Sequence, residues 1–97
     1  VQAEVIVYLS RRCFYCIRAQ RLLDGKGVHY TRIDVDTDPA AWDDMESRSG
    51  RSTVPQIFIN GHAVGGFSDI HALDRQGRLD ALLFPSTTSL SGEANDN

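Results

Sequence analysis

Short apolar runs separated by helical patterns restrict this chain to a small α/β fold. Residues 4–9 are rich in β-branched and aromatic side chains and predict a buried strand. Residues 14–26 follow a helical pattern, and residues 28–35 predict a second strand. Because two strands joined through a helix pair in parallel with a right-handed crossover, residues 4–35 are predicted to form a β-α-β unit.

The next segments predict a second helix, a hairpin and a last helix. These elements are expected over residues 37–48, 54–59 and 63–64, and from Ser68 (or Phe67) onward. Asp38 followed by Pro39 is a helix-start signal, and Gly50 is a stop signal. Asn60-Gly61 is the strongest short hairpin signal in the chain.

The order β-α-β-α-β-β-α predicts an α/β fold with one mixed four-stranded sheet flanked by helices. The apolar face of the last helix is predicted to consist of Ile70, Leu73, Leu79, Leu82 and Leu83. Gly77 is expected to divide that helix. Residues 1–84 are predicted to form a single domain, and residues 85–97, rich in Ser, Thr, Gly and Asn, a disordered tail.

The composition argues against several classes of protein. The net charge is −3 and the sequence pI about 5.4, whereas a nucleic-acid-binding domain is usually basic. No apolar run approaches the roughly 20 residues that span a bilayer, and residues 1–9 are too short for a signal peptide. We therefore expect a cytoplasmic protein that binds neither nucleic acid nor membrane. Four arginines lie near the cysteines in sequence: Arg11, Arg12, Arg18 and Arg21. A solvated helix face explains this cluster as well as a functional role does.

Two cysteines, Cys13 and Cys16, stand in a C-x-x-C spacing. A secreted disulfide scaffold would carry more cysteines, and two this close cannot staple distant segments, so they are predicted to be reactive. Cys13 falls at the start of the first helix, where unpaired N–H groups and the helix dipole favour a thiolate. Cys13 is therefore the predicted nucleophile. Cys16, one turn later and more buried, is predicted to resolve a mixed disulfide.

The same spacing has two other interpretations. Half of a zinc site would need two further ligands, and the spacing of the three histidines, which are His29, His62 and His71, does not supply them. A pair of inert core cysteines is the second interpretation, and the strand–helix junction argues against it. The sequence therefore predicts no metal site.

Thr53-Val54-Pro55 looks like the loop that faces the cysteines in thioredoxin-like folds, in which the proline is cis. In that arrangement Val54 offers its N–H and C=O groups to the main chain of a substrate. An ordinary proline at the start of a strand is the alternative, and without the C-x-x-C spacing it would be preferred.

Gly65-Gly66-Phe67-Ser68-Asp69 has the composition of a ligand-binding turn. Glycines allow close approach of a backbone, the N–H groups of the next helix suit a carboxylate, and Asp69 suits an ammonium group. The γ-glutamyl end of glutathione carries both groups. On this stretch alone, a tight turn followed by a capped helix is the preferred interpretation.

Taken together, these segments resemble the dithiol glutaredoxins over residues 4–83. The resemblance implies a thioredoxin-like fold, a monomer, glutathione as co-substrate, and reduction of protein–glutathione mixed disulfides and protein disulfides. It implies that Tyr15 flanks the glutathione and that Thr53 and Val54 bind its cysteinyl part. The full set of glutathione-binding residues that it implies is Tyr15, Thr53, Val54, Pro55, Gly66, Phe67, Ser68 and Asp69.

The chain departs from that family at three positions. Phe14 replaces the proline of the usual Cys-Pro-Tyr-Cys motif, which is expected to loosen or re-aim the first helical turn. Ser10 stands where the family often has lysine, and Arg11 or Arg12 could substitute for it. Phe67 stands where many members have cysteine.

Two other functions remain open at this stage. Relatives without the motif proline sometimes carry a [2Fe–2S] cluster between two protomers, with the first cysteine (here Cys13) and glutathione as ligands. The bulk of Phe14 argues against that function, because those relatives usually have a small residue there. The other alternative is a redoxin that a flavin reductase feeds, and the sequence of residues 65–69 argues against it.

Overall fold

The structure, a computed structural model, describes residues 2–85. The predicted disordered tail lies outside the described residues from position 86 onward. The elements, in chain order, are β1 (Val5–Leu9), α1 (Phe14–Gly25), β2 (Thr31–Asp34), α2 (Pro39–Ser49), β3 (Gln56–Ile59), β4 (His62–Gly65), α3 (Phe67–Arg75) and α4 (Leu79–Leu83). None of the described helices is long and apolar enough to cross a membrane.

The strands form one four-stranded sheet in the order β2-β1-β3-β4. β1 pairs in parallel with β2, β1 is antiparallel to β3, and β3 is antiparallel to β4. The predicted α/β fold with a mixed four-stranded sheet is confirmed. In this order β1 is central, so the chain that leaves its C-terminal end enters α1 at the middle of the sheet edge.

Two apolar clusters cover opposite faces of the sheet. The larger cluster joins β1 and β3 to α1, α3 and α4, and its most enclosed side chains include Val7, Leu23, Ile57 and Ile70. The smaller cluster lies under α2 and contains Tyr8, Val35, Ala41, Met45 and Phe58. Residues alternate between the clusters along β1 and β3, as side chains of a strand buried on both faces must.

The predicted helix signals act at the ends of α2. The side chain of Asp38 accepts a hydrogen bond from the N–H of Ala40 at 3.0 Å, and Pro39 occupies the first turn. Gly50 ends the helix at φ 73°, a left-handed conformation that glycine adopts without steric cost. The predicted end at Arg48 differs from the observed end at Ser49 by one residue.

The second strand is shorter than the predicted residues 28–35, so that prediction was wrong at both ends. The His29 N–H donates to Gln2 Oε1 at 2.7 Å, and Gln2 Nε2 donates to the His29 carbonyl at 2.6 Å. A side chain therefore satisfies the backbone groups that a longer strand would have paired. At the other end, the Asp36 N–H donates to Asp34 Oδ1 at 2.8 Å, which turns the chain out of the sheet.

The last helical segment is divided as predicted, with Gly77 at φ 73° between α3 and α4. Leu79 and Leu83 are fully buried, whereas Leu82 is 38 % exposed. The assignment of Leu82 to the buried face was wrong. Because Gly77 separates α4 from α3, the buried face of α4 does not continue that of α3. Leu79 and Leu83, four residues apart, face the core, and Leu82 lies beside them.

Candidate active site

Cys13 caps the N-terminus of α1. Its backbone is extended (φ −103°, ψ 114°), and its Sγ accepts a hydrogen bond from the Cys16 N–H at 3.2 Å. The same sulfur lies 3.5 Å from the carbonyl oxygen of Val54. Cys13 is half-buried, so a substrate can reach its sulfur. An N–H donor and the positive end of the helix dipole both stabilise negative charge on that sulfur.

Cys16 has a different environment one helical turn later. Its side chain is fully buried in the larger apolar cluster, beside Ala19 and Leu23 on the inner face of α1. Burial, followed by the hydrogen bond with Cys13, raises the pKa of the Cys16 thiol to about 12. Cys16 is therefore a neutral thiol at ordinary pH, and the two sulfurs differ in exposure in the direction that the sequence predicts.

The loop before β3 brings a cis peptide bond between Val54 and Pro55 next to the cysteines. The Val54 carbonyl faces Cys13 Sγ, and Pro55 is buried. Thr53 is exposed, and its Oγ1 accepts a hydrogen bond from Gln56 Nε2 at 3.1 Å. The cis proline that the thioredoxin-like pattern predicts is therefore present at the predicted position.

A groove of about 230 Å³ runs beside this loop. Its lining residues are Tyr15, Arg51, Val54, Pro55, Gly66, Phe67, Ser68 and Asp69. All of them except Arg51 belong to the set of binding residues predicted from the sequence. Thr53 is the one predicted member that does not line the groove, because its side chain turns to Gln56.

The N-terminus of α3 closes one end of the groove. Asp69 Oδ2 accepts hydrogen bonds from the Gly66 N–H at 2.9 Å and from the Arg51 guanidinium at 2.9 Å. These two contacts, the Gly66 N–H first, hold the pKa of the Asp69 carboxyl below its usual range. Both contacts fall on Oδ2, so Oδ1 has no hydrogen-bond partner in the described part of the chain and can accept from a ligand.

The glycine pair is required by close contacts at the same place. Gly65 has φ 113°, and a Cβ there would lie 2.6 Å from Asp69 Cγ. A Cβ on Gly66 would lie 3.2 Å from the carbonyl oxygen of Pro55. The glycines therefore allow β4, α3 and the cis-proline loop to approach one another around the groove.

Aromatic rings form one wall of the groove. The rings of Tyr15 and Phe67 are 6.3 Å apart between centroids, and His71 stacks on Phe67 at 5.3 Å. The guanidinium of Arg18 lies 5.5 Å from the centre of the Tyr15 ring, a cation–π contact. Tyr15 nevertheless remains 58 % exposed, so its ring has free surface for a ligand.

Arg11 does not take the place of the family's lysine in the groove. Its Nε forms an ion pair with Asp34 at 3.2 Å, and its backbone N–H donates to Asp36. This N–H, followed by the hydroxyl of Ser10, lowers the pKa of the Asp36 carboxyl. Arg12 is exposed and lines a cavity with Arg11, outside the groove. Neither Arg11 nor Arg12 therefore lines the groove, and their substitution for the lysine stays a prediction.

Sequence reasoning missed two polar residues at the site. Arg51 carries no motif signal, because it precedes the cis-proline loop in a stretch without periodicity. Gln56 had a signal that could have found it, since it is a single amide in the apolar run of residues 54–59. Its side chain is 1 % exposed, and its Oε1 has no hydrogen-bond partner in the part of the chain that the structure describes.

Comparison with known proteins agrees with this geometry. The sequence model of the glutaredoxin family matches residues 5–64. Glutaredoxin 3 of Escherichia coli strain K12 is 47 % identical over 81 residues, which cover 84 % of this chain and 98 % of that protein. The chain belongs to the glutaredoxin family. It is a glutathione-dependent thiol–disulfide oxidoreductase with a thioredoxin-like fold.

Solved structures of glutaredoxins superpose on the chain. A crystal structure of a buckwheat glutaredoxin–glutathione complex has a TM-score of 0.80 and 29 % identity, covering 86 % of this chain and 78 % of that one. The solution structure of glutaredoxin from Brucella melitensis has a TM-score of 0.75 and 45 % identity, covering 84 % and 89 % respectively. The likeness therefore extends over most of the chain.

Proposed function

We propose that this glutaredoxin reduces protein–glutathione mixed disulfides with glutathione as the reductant, and that it also reduces protein disulfides. The observation that carries the proposal is the position of Cys13 Sγ, 3.5 Å from the carbonyl of Val54, which lines the groove. A sulfur at a helix N-terminus, where it accepts the Cys16 N–H, therefore lies beside a ligand-sized cavity. The glutathione complex of the buckwheat relative supports glutathione as the occupant.

Groups along the groove match those of glutathione. Asp69 Oδ1 suits the α-ammonium, and the first N–H groups of α3, at Phe67 and Ser68, lack intrahelical partners and suit the α-carboxylate. The backbone of Val54 suits the cysteinyl residue. A tripeptide held at these points places its own sulfur next to Cys13, which is the geometry that disulfide exchange needs.

The reaction then proceeds in two exchange steps. The Cys13 thiolate attacks the glutathione sulfur of the mixed disulfide, a new S–S bond forms to Cys13, and the protein sulfur leaves as a thiolate that solvent protonates. A second glutathione thiolate attacks the glutathione sulfur on Cys13, which yields glutathione disulfide and restores the Cys13 thiolate. In sum, one free glutathione is consumed for each mixed disulfide, and the products are the protein thiol and glutathione disulfide, half of which comes from the substrate.

Protein disulfides require Cys16 as well. After Cys13 has joined a protein sulfur, the Cys16 thiolate attacks Cys13 Sγ, releases the protein thiol and leaves a Cys13–Cys16 disulfide. When Cys13 carries glutathione, Cys16 and free glutathione compete to release it. Because burial keeps Cys16 protonated, attack by abundant free glutathione is expected to be faster than attack by Cys16. The one-cysteine route is therefore expected to dominate with glutathionylated substrates.

Two single variants test this assignment, with glutathione reductase and NADPH reporting the reduction of a glutathionylated peptide. Cys13→Ser is expected to reduce turnover to the uncatalysed background, and Cys16→Ser is expected to retain at least about half of the wild-type rate. With a protein disulfide as substrate, both variants should be inactive. Equal loss in both variants on the glutathionylated peptide would contradict the roles proposed for the two cysteines.

The comparisons favour neither of the alternative functions considered from the sequence, which were the [2Fe–2S] carrier and the redoxin fed by a flavin reductase. The matching family model, and the relatives and solved structures described above, are glutaredoxins.

A further inference from the structure

Phe14 is the most exposed large apolar side chain in the described residues, at 80 %. It occupies the first position of α1, between the two cysteines, and it does not line the groove. Ile17, one turn later on the same face, is 40 % exposed. Packing does not explain these side chains, because the buried residues of α1 (Cys16, Ala19 and Leu23) lie on the opposite face.

The surroundings of Phe14 carry positive charge. Arg18 and Arg21 follow it at helical spacing and are exposed, and Arg12 precedes Cys13 and is exposed as well. Within the described residues Arg12 and Arg21 form no ion pair, and the first turn of α1 contains no acidic residue. We call Phe14, Ile17, Arg12, Arg18 and Arg21 the Phe14 surface. It is apolar at its centre and positively charged around it.

The chemistry of the proposed function determines what meets this surface. In disulfide exchange the attacking, central and leaving sulfurs lie in line, so the protein half of the substrate must extend away from Cys13. If glutathione occupies the groove beside Tyr15 and Phe67, that side is filled. The core closes the Cys16 side, so the side of Phe14 and the adjacent arginines remains open to the protein half of the substrate.

We propose that the Phe14 surface binds the protein half of the mixed disulfide and favours substrates whose glutathionylated cysteine is flanked by an apolar side chain and by acidic residues. This inference rests on the proposed function and names its substrate class. An apolar neighbour gains by covering the Phe14 ring, and acidic neighbours complement the arginines around it.

Four glutathionylated peptides of equal length test the inference. Next to the modified cysteine, each has either an apolar or a polar residue, combined with either acidic or basic residues. The mixed disulfide of glutathione and 2-mercaptoethanol serves as a fifth substrate without a peptide part. For each protein, kcat/KM on a peptide is divided by kcat/KM on this small substrate. The wild-type ratio is expected to be about tenfold higher for the apolar–acidic peptide than for the polar–basic one, a difference of about 1.4 kcal/mol.

Variants separate the preference for apolar flanks from the preference for acidic flanks. Phe14→Ser is expected to reduce the preference for apolar flanks to less than about twofold while the preference for acidic flanks persists, and Phe14→Leu should retain most of the former. Leu82→Ser, which removes an exposed apolar side chain on α4, is the matched control and should change no ratio. Raising the salt concentration to about 0.5 M should weaken only the preference for acidic flanks.

The outcomes distinguish this inference from the proposed function. If the small mixed disulfide is reduced but the four peptides differ less than about twofold, the Phe14 surface does not select substrates and the inference is overturned. A Phe14→Ser protein that loses activity equally on all five substrates would also overturn it, because Phe14 would then act on the cysteine motif itself. If the wild-type protein fails on the small substrate too, the proposed function fails together with the inference.

Discussion

Two thiols separated by two residues take on different chemistry because one helical turn separates their environments. Cys13 at the helix start receives an N–H donor and is accessible, whereas Cys16 points into the larger apolar cluster. Transfer of a charged sulfur into that cluster is costly, which is why burial dominates the raised pKa of Cys16. The proposed division between nucleophile and resolving cysteine therefore follows from position in the helix.

The raised pKa of Cys16 predicts a loss of stability in alkaline solution. The unfolded chain releases this proton near pH 9 and the folded protein only near pH 12, so the unfolded state binds fewer protons between these values. Stability is therefore fully present below about pH 9 and falls as the pH rises. At pH 10 the loss from this one group should be about 1.4 kcal/mol.

Urea unfolding from pH 8 to pH 10.5 measures this effect in the Cys13→Ser protein, which cannot form the internal disulfide. The Cys13→Ser, Cys16→Ala double variant is the control, since it retains every other titrating group. Parallel pH profiles for the two proteins would contradict the burial argument.

The residue scale also shows what sequence patterns can and cannot locate. Cys13 and Pro55 belong to motifs with a fixed spacing, and the structure places them as the sequence predicts. Arg51 was missed because its relation to Asp69 depends on a contact between a loop and a helix 18 residues apart. No local pattern encodes such a contact, which exists only once the sheet has brought β3, β4 and α3 together.

At the scale of elements, the backbone between β1 and α1 already has the conformation that a proline at position 14 would require. Cys13 has φ −103° and ψ 114°, which is the extended conformation that a residue before proline must adopt. Phe14 is the first helical residue, and its N–H bonds to no other group in the described residues. The first turn of α1 therefore has the backbone conformation that proline would give it, although Phe14 replaces the proline.

Phe14→Pro is accordingly expected to stabilise the reduced protein, by about 0.4–1 kcal/mol, because proline restricts the unfolded chain without straining the folded one. Little packing is lost, since the Phe14 ring is 80 % exposed. Urea unfolding of the reduced proteins provides the measurement, and Phe14→Ala is the control that removes the ring without restricting the backbone. A proline variant less stable than the alanine variant would show that the turn is strained by proline.

Element boundaries were predictable where a local signal sets them and were missed where a distant side chain does. The cap at Asp38 and the stop at Gly50 are local, and α2 begins and ends at them. The short β2 results instead from the Gln2 side chain, which pairs with the backbone of His29 across 27 residues. The sequence of residues 28–35 alone favours a longer strand because it contains no information about that contact.

At the scale of the whole molecule, α4 closes the larger cluster although it is the shortest helix described. Leu79 and Leu83 are fully buried in that cluster, and the carbonyl of Leu83 accepts the N–H of Ala3 at 2.7 Å. The two ends of the described chain therefore meet at one point. The sequence predicted the apolar side chains of this helix but not their phase, because the break at Gly77 resets it.

Adjacent leucines of α4 provide a matched test of this closure. Leu83→Ala is expected to lower the free energy of unfolding by about 2–5 kcal/mol, since it leaves a cavity in the cluster. Leu82→Ala, at a side chain that is 38 % exposed, should cost less than about 1 kcal/mol. Urea unfolding at pH 7 gives both values. Similar losses in the two variants would mean that α4 does not pack in the phase described.

Val54 packs against both apolar clusters, one on each side of the sheet. The other buried side chains of the two clusters lie on opposite faces of the sheet. A substitution in either cluster that shifts Val54, however, also moves the carbonyl beside the Cys13 sulfur. The two halves of this small core are therefore not free to diverge independently during evolution: both are constrained through a single loop residue that also belongs to the reaction site.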